Sequence, residues 1–169
     1  MRAIRNVLQY IAFSEVIIVF DVDGVLAPYE FDILNHSMPD EKWDEMIKNG
    51  ENPYDRIDAS PKMQELISCK DIKKVYVCSK CTDEEEKVKR EFVQKNYGIV
   101  PENIFFVREQ DEKINVLEHI KKIEDVAEQQ IAIIEDTVKT LDVIRKSGDY
   151  ITVHISSFVD RCGRNCKRN

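Results

Sequence analysis

The stretch Val16-Ile17-Ile18-Val19-Phe20-Asp21-Val22-Asp23-Gly24 decides the architecture. Its first five residues are apolar without alternation, the pattern of a parallel strand covered on both faces. The run stops at two carboxylates spaced i and i+2, which face the same side of an extended chain. Gly24 then lets the backbone turn at once. Carboxylates just past the end of such a strand lie in the crevice where open α/β sheets bind ligands.

Working outward, short β-branched or aromatic runs recur at 75–78, 104–107 and 131–134, with a weaker one at 151–155. Helix-period segments with their own start and stop chemistry lie between them. Ser60 before Pro61 predicts an N-cap, with Met63, Leu66 and Ile67 on the buried face. Thr82 and Glu85 form a capping-box pattern on a helix that should run to Gly98. Asp111 is expected to cap a helix carrying Ile114, Leu117 and Ile120, and Thr137 one carrying Val138, Leu141 and Ile144 that stops at Gly148. The alternation predicts right-handed crossovers and an α/β three-layer sandwich with a mostly parallel, five-stranded, Rossmann-like sheet. The least regular part, 27–59, should hold an extended hairpin at 29–34, a short helix at 41–48 and a polar turn at 49–53. The last residues, 161–169, are basic and read as a frayed tail.

A chain of 169 residues fits one domain, and 43% hydrophobic against 34% charged residues excludes collagen-like and disordered classes. The net charge of −7 argues against coating nucleic acid or anionic membrane through the overall field. Five cysteines, an odd and sparse set, suit reduced thiols and a cytoplasmic location. No apolar run approaches a membrane span. Ile4, Val7, Leu8, Ile11 and Ala12 follow helical spacing and predict an N-terminal amphipathic helix packed on its own domain.

The chemistry gathers at strand ends. Glu135-Asp136 follows the run 131–134, and if that strand neighbours the first one, three or four carboxylates share a crevice. Such crowding costs repulsion unless a cation neutralises it, and an all-oxygen site suits Mg²⁺. Ser79 ends the second strand with a hydroxyl, and Lys113 sits in the first turn of the helix before Glu135. Together these groups point to phosphoryl chemistry with an aspartyl-phosphate intermediate.

In this order the motifs resemble those of the haloacid-dehalogenase-like (HAD) phosphohydrolase superfamily: Val19-Phe20-Asp21-Val22-Asp23-Gly24-Val25, then Val75-Tyr76-Val77-Cys78-Ser79, then Lys113, then Ile133-Ile134-Glu135-Asp136-Thr137. The likeness covers about residues 16 to 155. It implies a Mg²⁺-dependent phosphomonoester phosphatase with Asp21 as nucleophile and Asp23 as general acid and then base. Ser79 and Lys113 would bind the phosphoryl group. Asp21, Asp136 and the backbone carbonyl of Asp23 would hold the metal, with Glu135 a ligand directly or through water. Lys80 stands where many relatives carry a small polar residue, and it is expected to reshape the mouth of the site and meet the substrate.

On that resemblance, residues 1–160 form one HAD-like domain in which 27–59 supplies the flap and a minimal insert. A nearly capless site goes with macromolecular substrates or with a neighbouring copy of the chain closing the crevice. The partners implied are a phosphorylated substrate and a homo-oligomer, while the basic tail admits nucleic acid. A phosphotransferase would use the same residues, and a HAD-like interaction module could keep them without turnover. A receiver-type signalling domain would need its acceptor Asp after the third strand, where Val107-Arg108-Glu109 stands.

Other features read as structural. His36, His119 and His154 are dispersed, Trp43 with Met46 and Ile47 forms a small packed face, and 83–89 is a solvated, salt-bridged helix face. The pairs Cys78/Cys81 and Cys162/Cys166 lack the glycine of a zinc knuckle.

Overall fold

A computed structural model describes residues 2–29 and 38–159. Helix α1 (Arg2–Ile11) leads into β1 (Ile17–Phe20), followed by α2 (Asp40–Lys48) and α3 (Pro61–Ser68). Then come β2 (Val75–Lys80), α4 (Asp83–Tyr97), β3 (Ile104–Val107), α5 (Lys113–Glu124), β4 (Ile131–Glu135), α6 (Val138–Ser147) and β5 (Ile151–His154). The five strands pair in the order β3-β2-β1-β4-β5, every pair parallel. The sheet therefore reverses direction at β1, and β1 and β4 lie side by side with Phe20 opposite Ile134.

Strand periodicity sorts the core into two layers. Ile18, Phe20, Val75, Val77, Ala132 and Ile134 face Ile11, Met63, Ile67, Phe92 and Val93, so α1, α3 and α4 cover one face. Ile17, Val19, Tyr76, Cys78, Ile131 and Ile133 face Leu117, Ile120, Leu141 and Ile144, so α5 and α6 cover the other. This is a three-layer α/β sandwich of Rossmann-like type. Among the described residues no helix is long and apolar enough to cross a membrane.

Local chemistry sets most helix ends. The Ser60 hydroxyl accepts from the Met63 N–H, Thr82 and Glu85 make the reciprocal capping box, and Gly98 stops α4 in the left-handed region at φ 66°. Two expected caps are different. Asp111 does not cap α5: the Glu112 carboxylate reaches back to the N–H groups of Arg108 (2.8 Å) and Glu109 (3.0 Å), and 110–112 becomes a 3-10 turn. Thr137 holds the N-cap position of α6, but its hydroxyl donates to Asp136 Oδ1 at 3.1 Å instead of accepting a helix N–H.

The N-terminal stripe is narrower than its spacing predicts. Ile11 is buried and Leu8 packs on the core, whereas Val7 is 37% exposed and Ala12 lies past the helix end in solvent. The side chain of Ile4, most of the hairpin expected at 29–34, His36 and the tail 161–169 lie outside the described residues. The helix expected at 41–48 is α2, with Met46 buried.

Candidate functional site

Strand parity places the acidic cluster. Extending the Ile17, Val19 series brings Asp21 to the α5 side of the sheet, and extending Ile131, Ile133 brings Glu135 there beside it. The first residue of α5, Lys113, fills the space between them, its ammonium 2.5 Å from Glu135 Oε2 and 3.2 Å from Asp21 Oδ1. Lys113 and Glu135 are both 0% exposed. Burial alone would pull the lysine towards its neutral form, but the two carboxylates outweigh it and hold its pKa above the ordinary value. Burial pushes the Asp21 carboxyl upward, opposed by Lys113, reinforced by Glu135, and opposed again by the Ser79 hydroxyl and the Val22 N–H. The crowding expected from sequence is real, and part of its neutralisation is built into the protein as a lysine.

Asp136 completes the group: one ligand atom from each of Asp21, Glu135 and Asp136 lies within 4.8 Å of the others. The Asp136 backbone carbonyl is braced by His154 Nε2 at 2.8 Å, while His154 Nδ1 accepts from Ser156. A carbonyl only accepts, so His154 is the Nε2–H tautomer and acts as a strut, a role its dispersed position in sequence did not suggest. Gly24, at φ 74°, lies directly beneath Asp136, and a Cβ there would overlap Asp136 Oδ2 and come 2.8 Å from the Tyr29 ring. Glycine is needed here for both conformation and space.

Ser79 is buried, its hydroxyl donating to the Lys80 carbonyl at 3.4 Å and close enough to Asp21 to oppose the rise in that carboxyl's pKa. Lys80 is at the exposed rim, paired with Glu109 at 3.1 Å, while its carbonyl points inward. The carboxylate of Asp23 stands apart from the acidic group. Its Oδ2 accepts from Lys89 Nζ and its Oδ1 from the Tyr54 hydroxyl, both at 2.7 Å. Lys89 corrects the reading of 83–89 as a solvated face: it is 2% exposed and lies on the same stripe of α4 as the buried Phe92 and Val93. That i, i+3, i+4 spacing was the available signal for Lys89, whereas Tyr54 follows Asn52-Pro53 and carries none.

Trp43 packs edge-on against Tyr54 at 5.1 Å and donates its indole N–H to Glu85 at 2.5 Å, so the expected packed face also walls the site. A cleft of about 560 Å³ opens over Asp23 between Tyr29, Asp40, Trp43, Asp44 and Glu85. Cys78 is in the core, where burial pushes its thiol up to about 12, and the Cys81 sulfur lies 3.7 Å from the Arg108 guanidinium. Cys162 and Cys166 lie outside the described residues.

The donor set fits a hard divalent cation. Three carboxylates converge, with neither thiol nor imidazole among them, and such oxygen-only sets suit Mg²⁺. Glu135 has the least freedom to ligate, since Lys113 occupies Oε2 and the Thr137 N–H donates to Oε1 at 3.1 Å. Asp21 and Asp136 would be the freer ligands. No protein-family model matches the sequence, and neither does any curated protein.

Proposed function

We propose that this protein is a Mg²⁺-dependent phosphomonoester phosphatase of the HAD-like kind, working through a phosphorylated Asp21. The observation that carries the reading is the buried Lys113 between Asp21 and Glu135, with Asp136 alongside, at the carboxyl ends of β1 and β4 where the sheet reverses. A strand-end carboxylate held by a buried ammonium and a hydroxyl suits attack on an anionic phosphorus centre.

Asp21 and Asp136 would hold the ion, which when bound supplies positive charge against the repulsion between the Asp21 carboxylate and a phosphate dianion. Lys113 keeps Asp21 oriented, and with Ser79 it offers donors to phosphoryl oxygens. An Asp21 oxygen forms a bond to phosphorus as the bond to the leaving oxygen breaks, and Asp23 gives that oxygen its proton. Asp23 then takes a proton from a water molecule, whose oxygen attacks the acyl phosphate and frees inorganic phosphate and Asp21.

The test is a panel of phosphorylated metabolites, nucleotides and phosphopeptides assayed for phosphate release with Mg²⁺ and with chelator, followed by Asp21→Asn on any active substrate. Release should need Mg²⁺ and vanish in the variant, because an amide is not an anionic nucleophile. Wild-type turnover by Asp21→Asn would exclude the aspartyl-phosphate route.

A further inference from the structure

We infer that Lys89 and Tyr54 are positioning residues that fix the carboxylate of Asp23 for proton transfer, an inference that rests on the role given to Asp23 above. A lysine ammonium is costly to take out of water, even when its partner is well placed. A leucine or methionine would fill the same place on the stripe shared with Phe92 and Val93 without that cost. What the lysine provides is a direction. Lys89 Nζ donates to Asp23 Oδ2 and to the Lys80 carbonyl, both at 2.7 Å. It thereby ties the loop after β1 to the end of β2, the strand that carries Ser79.

Tyr54 supplies the second point of attachment through Asp23 Oδ1. Its ring is held between Trp43, edge-on at 5.1 Å, and Phe92 at 5.2 Å. Phe92 lies one turn along α4 from Lys89, so one helix braces both donors. With a donor on each oxygen, the carboxylate cannot turn about its Cβ–Cγ bond without losing a hydrogen bond. Each oxygen still has a second lone pair, so two fixed donors leave room for a proton or a water molecule. An acid–base group works only within tight tolerances, and a misplacement of about 1 Å costs on the order of 10²-fold in rate. Both residues donate to the Asp23 carboxylate, and Lys89 also holds the Lys80 carbonyl beside Ser79, so the two routes by which Lys89 could act on turnover are separated by removing the Asp23 carboxylate.

The experiment uses the full chain with Mg²⁺ and compares Lys89→Met, Tyr54→Phe, Asp23→Asn and Lys89→Met/Asp23→Asn on p-nitrophenyl phosphate and phenyl phosphate. Phenol is the poorer leaving group and depends more on a proton donor. Lys89→Met should lower kcat/KM, which reports transfer of the phosphoryl group to Asp21, by roughly 10- to 100-fold on phenyl phosphate and by less on p-nitrophenyl phosphate. Tyr54→Phe, which deletes one oxygen and keeps the ring packing, should show the same leaving-group bias with a smaller loss; it carries the test if Lys89→Met does not fold. In the Asp23→Asn background, Lys89→Met should cost almost nothing further. An equal loss of kcat/KM on both substrates, or the same loss with and without the Asp23 carboxylate, would make Lys89 a purely structural lysine and overturn the inference. An Asp23→Asn variant as active as wild type on both substrates would instead remove the role of Asp23 and the inference with it.

Discussion

Replacing Lys113 by methionine removes a charge from the most buried part of the site while keeping nearly the same volume. Lys113 and Glu135 have fully buried side chains, that of Asp21 is 7% exposed, and the two contacts are 2.5 and 3.2 Å. Solvent screening is therefore slight, and the loss of one partner leaves two buried carboxylates repelling each other. Breaking a buried pair in this way costs about 3–5 kcal/mol. That is a large share of the roughly 5–15 kcal/mol that holds an ordinary domain folded. With a urea slope of about 2 kcal/mol per molar, the midpoint should fall by roughly 2 M. The assay is urea unfolding followed by far-UV circular dichroism, in chelator so that no metal replaces the missing ammonium. Burial raises the Asp21 pKa and Lys113 opposes it, so the variant's Asp21 carboxyl takes up its proton at higher pH than in the parent. Groups whose folded pKa lies above the unfolded value add stability at low pH and lose it as pH rises through the folded pKa. The gap between variant and parent should accordingly narrow from pH 8 to pH 5. Lys113→Met/Glu135→Gln, which removes both charges of the closer pair, should recover at least half of the loss. A cost below about 1 kcal/mol, or a double variant as unstable as the two single losses added together, would refute the electrostatic account of the cluster.

Three other outcomes follow from the same geometry. Gly24→Ala should destabilise by about 1–3 kcal/mol and raise the Mg²⁺ concentration needed for activity, because the new methyl group overlaps Asp136 and adopts φ 74°; an unchanged melting temperature would contradict this. Asp136→Ala should move the midpoint of a Mg²⁺ activation curve to higher concentration, and an unmoved midpoint would put the metal elsewhere. Cys78, its thiol pushed up to about 12, should resist iodoacetamide at pH 8 in the folded protein while the exposed Cys69 reacts, as peptide mapping of labelled sites would show; equal labelling would mean that β2 opens readily.

The strands were legible because four continuous apolar runs and a weaker fifth have one simple solution, a sheet covered on both faces. The adjacency of β1 and β4 stood only as a condition in the sequence, and the strand order supplies it and with it the meeting of Asp21 with Glu135-Asp136. Helix starts were legible where a small polar side chain had no competitor, as at Ser60 and Thr82. They were not legible where a longer carboxylate could reach back over three residues, as Glu112 does past Asp111. Lys89 was read as solvent-facing because four acidic residues open its helix, and composition hid the single lysine that had turned inward. Tyr54 and His154 act through contacts with residues far along the chain, Asp23 and Asp136, and no local pattern records such pairings.

The strand order also dictates when the site can exist during folding. Ile17 pairs with Ile131 and Phe20 with Ile134, so the central strand is complete only after most of the chain has been synthesised. Closing loops of that length is entropically costly and makes such sheets slow to assemble. Until β4 arrives, β1 presents an unpaired edge of Ile17 to Phe20 that is open to any other strand, including that of another nascent chain. The acidic crevice is thus among the last parts to form, and a chain released before residue 135 would carry an aggregation-prone strand and no Glu135-Asp136 pair.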